Sequence, residues 1–357
     1  MSEIFGFGVP LVTLTDDKGE VDPQATRQLW DHMFPLVDVA VILGTTGRGR
    51  FILNEDLSQA KAMVDIGIEL AGKHGKPLVV GTGAETMERS RDLTEYTAAR
   101  GAFAVLVTAP IYWSSPFARS LAGSPLALEY QEKLVDEYFL QVLQAIPPGS
   151  PTRFLPYIFP TLTENDPRTT LRPEILNRLS EEAVRSGRLM DGGKLTIRDD
   201  NVPLEYGQKC PQLQFQAGFD STVQTYLCDP RLRFNGAILG LGNLIPRFLR
   251  AHVYDCLRLK ELRSHEQPSA ERGPLLRKVL RQQNDVSALL SIFWEGGAFG
   301  QLIHAFLGAH APYQAVRISF EELSAWAPLI AVNAASLVPE ITSHCPESPL
   351  SRELLRL

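Results

Sequence analysis

Short apolar runs alternate with longer amphipathic stretches along the first two thirds of the chain. Near-continuous apolar runs are typical of strands in a parallel sheet whose two faces are both covered. The stretches between them repeat their apolar residues at helical spacing. This alternation predicts an α/β protein, and eight runs favour a closed (β/α)₈ TIM barrel over an open doubly wound sheet. The predicted strands are Gly8–Leu14, Val39–Leu43, Pro77–Thr82, Ala104–Ala109, Phe154–Phe159, Leu189–Gly193, Gln212–Ala217 and Gly236–Gly240.

Helix-start signals support the amphipathic stretches between these strands. Asp22 precedes Pro23, the order expected of an N-cap and a first helical residue. Asn54-Glu55-Asp56 places acidic residues at a helix N-terminus, where they favour the helix dipole. The predicted helices are Pro23–Leu36, Glu55–Lys73, Met87–Arg100, Leu126–Ala145, Pro173–Arg185, Val202–Lys209 and Ser221–Leu227.

Beyond about residue 245 the strand signals vanish, and apolar residues recur at helical spacing alone. The sequence therefore divides into a (β/α)₈ barrel over residues 1–245, a C-terminal helical extension packed on it over residues 246–342, and a loose tail over residues 343–357. A polar linker is expected at Ser264–Gly273. The predicted helices of the extension are Phe248–Leu262, Leu275–Trp294, Gly297–Leu307 and Phe320–Val338.

Composition narrows the classes of protein without indicating a partner. The chain has 357 residues, and its net charge of −6 contains no long block of one sign, so neither nucleic acid nor a membrane surface is an expected partner. Its four cysteines lie far apart, which favours reduced thiols and gives no metal-site spacing. The N-terminus does not resemble a signal peptide, and no apolar run is long enough to span a membrane. We expect a soluble cytoplasmic protein.

A lysine follows the sixth predicted strand, in the stretch Leu189-Met190-Asp191-Gly192-Gly193-Lys194. The C-terminal ends of barrel strands are where TIM-barrel enzymes carry out their chemistry. A poorly solvated lysine there has a lowered pKa, which leaves a neutral amine able to attack a carbonyl. Taken alone, the same lysine could simply leave the strand into solvent.

Hydroxyl-bearing residues lie in or just after three other predicted strands. Gly44-Thr45-Thr46-Gly47 comes directly after the second strand, and its N–H and hydroxyl groups can converge on an anion. A carboxylate suits it better than a phosphate, because no P-loop lysine follows. Tyr157 in the fifth strand and Tyr112 after the fourth could relay protons, since a nearby lysine can lower the pKa of a phenol. Either tyrosine could equally belong to the core.

Other motifs are set aside. Gly81-Thr82-Gly83-Ala84 lacks the third glycine and the later acid of a dinucleotide-binding site. Arg198-Asp199-Asp200 is interpreted as a solvated loop, and no histidine is paired with a candidate nucleophile. The sequence predicts neither a cofactor nor a metal.

The order of the motifs on successive strands resembles the dihydrodipicolinate synthase/N-acetylneuraminate lyase family of class I, Schiff-base aldolases. The resemblance covers residues 5 to about 245 well and the extension more loosely. It implies that Lys194 forms an imine with a 2-oxo acid, usually pyruvate. Thr45 and Thr46 would hold the substrate carboxylate, and Tyr157 would shuttle protons.

The resemblance also implies features beyond the reactive lysine. Tyr112 matches a tyrosine that is lent across a subunit interface, so a homo-oligomer, either a dimer or a tetramer, is expected. Gly218 and Ile238 match positions that line the pocket beside the lysine. The expected small-molecule partners are a 2-oxo acid and an aldehyde, with no cofactor.

The chain departs from the family pattern at several positions. Leu162 stands where the synthase branch has an arginine for its second substrate, and Arg48 stands where a glutamate is usual. Leu195-Thr196 follows the lysine where an acidic residue is common. The loops Ser114–Pro125 and Asp229–Asn235 are longer than usual and are expected beside the active face. These departures point to a different aldehyde component, for which Arg48 or Arg119 could supply the cation.

The function predicted from the sequence is a class I aldolase or lyase that cleaves or forms a 2-oxo acid at a Lys194 imine. One alternative is an imine-dependent dehydratase of a 3-deoxy-2-oxo sugar acid, with or without decarboxylation. A second alternative is a non-catalytic member of the family that binds a 2-oxo acid.

Overall fold

Eight parallel strands form a closed barrel in chain order, with β8 pairing back onto β1. The structure, a computed structural model, describes residues 5–16, 20–47, 49–110, 133, 135–159, 171–197, 201–265, 269–295, 320–344, 346 and 348–356. The predicted (β/α)₈ TIM barrel is confirmed. The strands are β1 (Gly6–Pro10), β2 (Val39–Ile42), β3 (Leu78–Gly81), β4 (Ala104–Thr108), β5 (Arg153–Ile158), β6 (Gly192–Leu195), β7 (Gln214–Ala217) and β8 (Phe234–Ile238).

Helices connect the strands and continue beyond the barrel. A π-helical turn over Val135–Phe139 precedes α5, and a 3₁₀ turn over Asp220–Thr222 precedes α8. The helices of the barrel are α1 (Pro23–Met33), α2 (Gly49–Glu55), α3 (Leu57–His74), α4 (Met87–Ala99), α5 (Leu140–Gln144), α6 (Pro173–Arg185), α7 (Asn201–Lys209) and α8 (Val223–Cys228). Those of the extension are α9 (Pro246–Ser264), α10 (Arg272–Glu295), α11 (Phe320–Asn333), α12 (Val338–His344) and α13 (Pro349–Leu354).

Apolar side chains pack on both sides of the barrel wall. An outer core lies between the strands and the surrounding helices, and an inner cluster fills the barrel. Strands buried on both faces explain why the strand signals are apolar runs rather than alternating patterns. The inner cluster consists of Phe5, Val39, Val41, Val79, Ala104, Leu106, Leu155, Tyr157 and Ile238.

The sixth strand begins later than predicted. Leu189 forms only an isolated bridge with Arg153, and the strand runs over Gly192–Leu195. A β-carbon on Gly192 would lie 1.5 Å from the Gln214 carbonyl oxygen, so this strand approaches its neighbour too closely for any residue but glycine. The apolar residues predicted a strand over Leu189–Gly193. The observed position is instead set by the close approach of the Gly192 backbone to β7. Lys194 therefore lies inside the strand rather than beyond its tip.

The second helical segment is divided in two. A short helix, α2, ends at Glu55, and α3 begins at Leu57. Asp56 is the N-cap of α3, and its side chain accepts a hydrogen bond from Ser58 N at 2.8 Å. The helix predicted over Glu55–Lys73 corresponds to α3, whereas the short helix α2 before it was not predicted.

The loop Asp229–Asn235 was expected beside the active face, and this expectation is wrong. It joins the end of α8 to the start of β8. A loop that leads into a parallel strand lies at the amino end of the barrel, whereas the active face is built by loops that follow strands.

The helical extension packs on the barrel through specific polar contacts. Glu340 at the start of α12 accepts hydrogen bonds from the free N–H groups of Arg247 and Phe248 at 2.6 and 2.8 Å, and so caps α9. The loose tail predicted from residue 343 instead contains α13, which Ser348 caps and in which Leu350 and Leu354 are buried. Its two apolar residues at i,i+4 spacing are enough to hold a short helix against the extension. The predicted helix Gly297–Leu307 lies outside the described residues.

Neither membrane spans nor paired cysteines are found in the described part of the chain. None of its helices is long and apolar enough to cross a membrane. Cys210, Cys228 and Cys256 are free and buried.

A buried histidine attaches the extension to the carboxyl end of β8, and it predicts a pH-dependent stability. His344 Nε2 donates to the Asn243 carbonyl oxygen at 3.0 Å, and burial, together with nearby His32, lowers the pKa of His344 to about 4. The unfolded chain therefore binds this proton more tightly than the folded protein. We expect a stabilisation that is complete above about pH 6.5 and is lost as the pH falls towards 4, worth ~3 kcal/mol at most.

This dependence can be isolated with His344→Gln, whose neutral amide can still donate to Asn243. The free energy of unfolding of each protein should be measured in urea at pH 7 and pH 4.5. The loss between the two pH values should be smaller in the variant by about 1 kcal/mol or more. Equal losses in both proteins would show that His344 does not contribute.

Candidate active site

The carboxyl end of the barrel brings Lys194 and Tyr157 together. The two residues are paired in register on β6 and β5, so their side chains enter the barrel side by side. Lys194 Nζ lies 3.1 Å from the Tyr157 hydroxyl and 4.2 Å from the centroid of its ring. Both side chains are buried, and Tyr157 stacks on Phe159. Packing therefore fixes an amine and a phenol in direct contact.

Burial sets the protonation of both groups. It lowers the pKa of Lys194 to about 7, against the opposing effect of the Asp220 carboxylate. A large fraction of the amine is then neutral near pH 7, which a nucleophile requires. Burial raises the pKa of Tyr157 well above its ordinary value, so the phenol stays protonated. A nearby lysine can lower the pKa of a phenol, but here burial of the Tyr157 side chain outweighs that effect.

Thr196, the first residue after β6, extends this polar contact. Its Oγ1 donates to the Tyr157 hydroxyl at 3.1 Å, and its side chain is buried. Residues 194 and 196 point to the same side of β6, because side chains alternate along a strand. The phenol therefore has hydrogen-bond partners on two sides, an arrangement that can pass a proton in either direction.

Gly218, after β7, makes room for the lysine. A β-carbon there would lie 1.9 Å from Thr196 Oγ1 and 2.7 Å from Lys194 Cε. Two residues on, the buried carboxylate of Asp220 accepts a hydrogen bond from Leu241 N at 3.0 Å. Burial raises the pKa of Asp220 to about 6, against the effects of backbone N–H groups and of Lys194. The Asp220 carboxyl group thus interacts electrostatically with the Lys194 amine.

A small cavity opens at the same end of the barrel and reaches Tyr157. It begins at the end of β2, where Leu43 adopts a left-handed conformation with φ of 53°, an uncommon one for a non-glycine residue. Thr45 follows in the turn and borders the cavity. The lining residues are Leu43, Gly44, Thr45, Arg50, Gly81, Gly83, Leu106, Thr108 and Tyr157.

Arg50 is the cationic residue of this lining. Its Nε is paired with Glu85, and its Nη2 donates to the Ala109 carbonyl oxygen at 3.0 Å. Within the described part of the chain, the third nitrogen, Nη1, is buried without a hydrogen-bond partner. A buried donor of this kind is costly unless an acceptor reaches it.

The structure brings together most of the residues that the sequence singled out. Lys194, Tyr157 and Gly218 are in direct contact or adjacent, Thr45 borders the cavity, and Ile238 packs in the inner cluster with Tyr157. Thr46 is half-buried beside Thr45.

Other predicted features lie outside the described residues. They are Tyr112, Arg48, Arg119, Leu162, the loop Ser114–Pro125 and the stretch Arg198-Asp199-Asp200. Within the described ranges, no group of three or more His, Cys, Asp or Glu residues is arranged to hold a metal ion.

Three residues of the site were missed by the sequence analysis. Thr196 and Asp220 each follow a predicted strand at its carboxyl end, which is the signal that could have identified them. Arg50 follows the Gly-Thr-Thr-Gly turn by three residues, but it lies in α2, a helix that was not predicted, and its contacts with Glu85 and Ala109 place it at the cavity.

A closed barrel with a buried lysine and tyrosine at its carboxyl end is typical of lysine-dependent aldolases. Residues 4–121 match the model of the dihydrodipicolinate synthetase family. This match, over about a third of the chain, agrees with the family resemblance that the sequence predicted.

Curated relatives show the same resemblance. The chain is 33% identical over 112 residues to a 4-hydroxy-tetrahydrodipicolinate synthase of Porphyromonas gingivalis, which covers 31% of this chain and 36% of the relative. It is 28% identical over 240 residues to the synthase of the same name from Coxiella burnetii, covering 67% of this chain and 70% of the relative. The match to the first relative thus spans about a third of its length.

A solved structure extends the likeness to nearly the whole fold. YagE, an Escherichia coli K12 prophage protein of the dihydrodipicolinic acid synthase family in complex with pyruvate, superimposes with a TM-score of 0.69. The superposition covers 93% of this chain and 98% of that one at 19% identity. At this identity the likeness establishes the fold.

Proposed function

We propose that the protein is a class I aldolase that reversibly cleaves a 2-oxo acid to pyruvate and an aldehyde through an imine on Lys194. The observation that carries the proposal is the buried Lys194 amine, with a pKa lowered to about 7 and a contact of 3.1 Å with Tyr157. The match to the family model and the pyruvate bound by the structurally similar E. coli protein support a 2-oxo acid as substrate.

The proposed cycle uses groups of this chain alone. The neutral Lys194 amine attacks the 2-oxo carbon, and the carbinolamine loses water to give a protonated imine. The bond between C3 and C4 then breaks, and its electron pair moves to the protonated imine to form an enamine. The C4 hydroxyl loses its proton, and the fragment that contains C4 leaves as an aldehyde. Protonation of the enamine and hydrolysis then release pyruvate. Tyr157, joined to Thr196, is placed to relay protons to and from the reacting atoms.

The carboxylate of the 2-oxo acid would bind at the turn after β2. Thr45 borders the cavity that reaches Tyr157, and Thr46 follows it. Backbone N–H groups and hydroxyls in such a turn can receive an anion. Gly218 and Ile238 would shape the pocket beside the lysine. We also propose a homo-oligomer, with Tyr112 completing the site from a second subunit, as the resemblance implies.

The aldehyde component would meet Arg50. The Arg50 guanidinium is paired with Glu85, so its remaining donor, Nη1, offers a hydrogen bond with little net charge. Such a donor suits a hydroxyl or carbonyl oxygen better than a second carboxylate. We therefore propose a hydroxylated aldehyde, in place of the acidic second substrate that an arginine at the Leu162 position would bind.

Arg50→Met predicts a change in substrate preference. We expect kcat/KM for cleavage of hydroxylated 2-oxo acids to fall about 10-fold, the effect of one lost hydrogen bond from a buried donor. Condensation of pyruvate with acetaldehyde, which has no hydroxyl, should fall much less. Arg89 binds the Leu53 carbonyl in the same region without bordering the cavity, so Arg89→Met is the matched control. Equal losses on both substrates would contradict the role of Arg50.

The proposed reaction is tested by incubating the protein with a panel of 3-deoxy-2-oxo acids and measuring pyruvate release. Stoichiometric pyruvate and aldehyde support the aldolase. A product that keeps every carbon, or loses only carbon dioxide, would instead indicate the dehydratase alternative. No turnover of any member, with the Lys194 imine still formed, would favour the non-catalytic alternative.

A further inference from the structure

A buried glutamine of the helical extension contacts the backbone of the active site directly. Gln283, on α10, is 8% exposed. Its Nε2 donates to the Asp220 carbonyl oxygen at 3.1 Å, and its Oε1 accepts from Gln224 N at 3.0 Å. An α-helix would pair the carbonyl and the N–H of residues four apart, and here one side-chain amide hydrogen-bonds to both.

The segment that Gln283 holds is the one that follows Gly218. Gly218 lies against Lys194 Cε, and Asp220 comes two residues later, at the start of the 3₁₀ turn. The Asp220 carboxylate is fixed on its other side by Leu241 N, from the loop after β8. Asp220 therefore connects β7 and β8 beside the lysine, and Gln283 fixes its backbone from outside the barrel.

Gln283 is itself held by α9. His252 Nε2 lies 3.2 Å from Gln283 Oε1, and burial lowers the pKa of His252. A neutral ring has one N–H, so it can donate to Gln283 through Nε2 or to Gln282 through Nδ1, but not to both. The neighbouring Gln282 also reaches His252, at 3.3 Å, but its amide donates to Asp255 instead of to the barrel. The two adjacent glutamines share one histidine, and only Gln283 touches the segment of Asp220.

We propose that Gln283 is a positioning residue: by holding the backbone of Asp220, it fixes the carboxylate beside Lys194 and makes the helical extension part of the active-site framework. The inference rests on the proposed function in that Lys194 is taken as the nucleophile. Its physical basis is the pairing of two buried backbone groups, which would each lose a partner if the amide were removed.

The test follows the protonation of Lys194 in the whole protein without any substrate. Reductive methylation by formaldehyde and borohydride, mapped to Lys194 across a range of pH, reports the midpoint at which the amine becomes neutral. The groups whose titration could contribute are Lys194 itself, Tyr157, Asp220 and, around Gln283, His252 and Asp255.

In Gln283→Met, the midpoint should fall by about half a pH unit, because the carboxylate that favours the ammonium form is no longer held. Asp220→Asn should shift it in the same direction and further. Gln282→Met, the matched control, should stay within about 0.2 unit of the wild type. If Gln283→Met fails to fold, Gln283→Asn keeps a neutral amide that is too short to reach both Asp220 O and Gln224 N, and its midpoint is compared instead.

A folded Gln283 variant with an unchanged midpoint would overturn the proposal and leave Gln283 as a packing residue. A shift equal to that of Gln282→Met would overturn it as well. The methylation experiment contains no pyruvate, so its result does not depend on whether Lys194 reacts with a 2-oxo acid. Failure of the wild type to form a pyruvate adduct in a separate experiment would therefore count against the proposed function alone.

Discussion

Lys194→Ala is expected to lower the rate of 2-oxo acid cleavage by about 10⁴-fold or more, because no other group in the site can form the imine. Burying an amine is unfavourable, so its replacement by alanine should not prevent folding. Lys260 provides a matched control: it too is partly buried, its pKa is lowered to about 8, and it donates to the Leu232 and Phe234 carbonyls. These contacts lie at the amino end of β8, away from the cavity. Lys260→Met should keep its rate within about twofold of the wild type.

The pH dependence of imine formation follows from the same burial. The pKa of Lys194 is lowered to about 7, so the neutral amine increases as the pH rises through 7. The rate of pyruvate adduct formation in the wild type should rise over the same range and level off above it. A midpoint near the ordinary lysine value, above 10, would show that the amine is solvated and would contradict the arrangement described here.

Tyr157→Phe is expected to lower kcat by about 10²-fold while changing KM only a few-fold, as the loss of a proton relay does. The ring would still stack on Phe159 and fill the inner cluster, so only the hydroxyl is removed. That hydroxyl contacts both Lys194 Nζ and Thr196 Oγ1 at 3.1 Å. Steady-state kinetics on a cleavable 2-oxo acid measure the two parameters separately.

Tyr206→Phe is the control for the loss of a buried tyrosine hydroxyl. Tyr206 donates to the Leu171 carbonyl in the outer core, away from the cavity. Its replacement should cost about 1 kcal/mol of stability and leave kcat within twofold. An unchanged kcat in Tyr157→Phe would show that Tyr157 only packs the barrel.

The barrel could be predicted because its strands are buried on both faces. Each strand is a near-continuous apolar run, and the eight runs occur in the order in which the strands pair. Boundaries were less predictable where the backbone decides them. Close approach at Gly192 moves β6 towards its carboxyl end and brings Lys194 into the strand.

The candidate site was predicted where a residue stands in a recognisable motif. Tyr157 and Lys194 lie in β5 and β6, and Thr45 follows β2, in the order that the resemblance requires, and they meet at one end of the barrel. Asp220 and Arg50 depend on contacts between distant segments. Asp220 is held in place by Leu241 and by Gln283 of the extension. Arg50 is held by Glu85 and by the Ala109 carbonyl. Neither set of contacts leaves a local pattern.

In the helical extension, too, some features follow from the local sequence and others depend on contacts between distant residues. Its helices follow from apolar spacing, but its attachment depends on single polar residues. Glu340 caps α9, His344 binds the loop after β8, and Gln283 reaches the segment of Asp220. A helix predicted from periodicity alone gives no reason to expect any of these contacts. The sequence analysis therefore predicted only that the extension packs on the barrel.

The most direct test of the central claim is to incubate the protein with pyruvate and borohydride, measure its intact mass and map the modified peptide. We expect one reduced pyruvyl adduct per chain, on Lys194 and not on Lys260, with none formed by Lys194→Ala. A folded protein that forms no adduct, or forms it on another lysine, would contradict the assignment of Lys194 as the imine-forming residue.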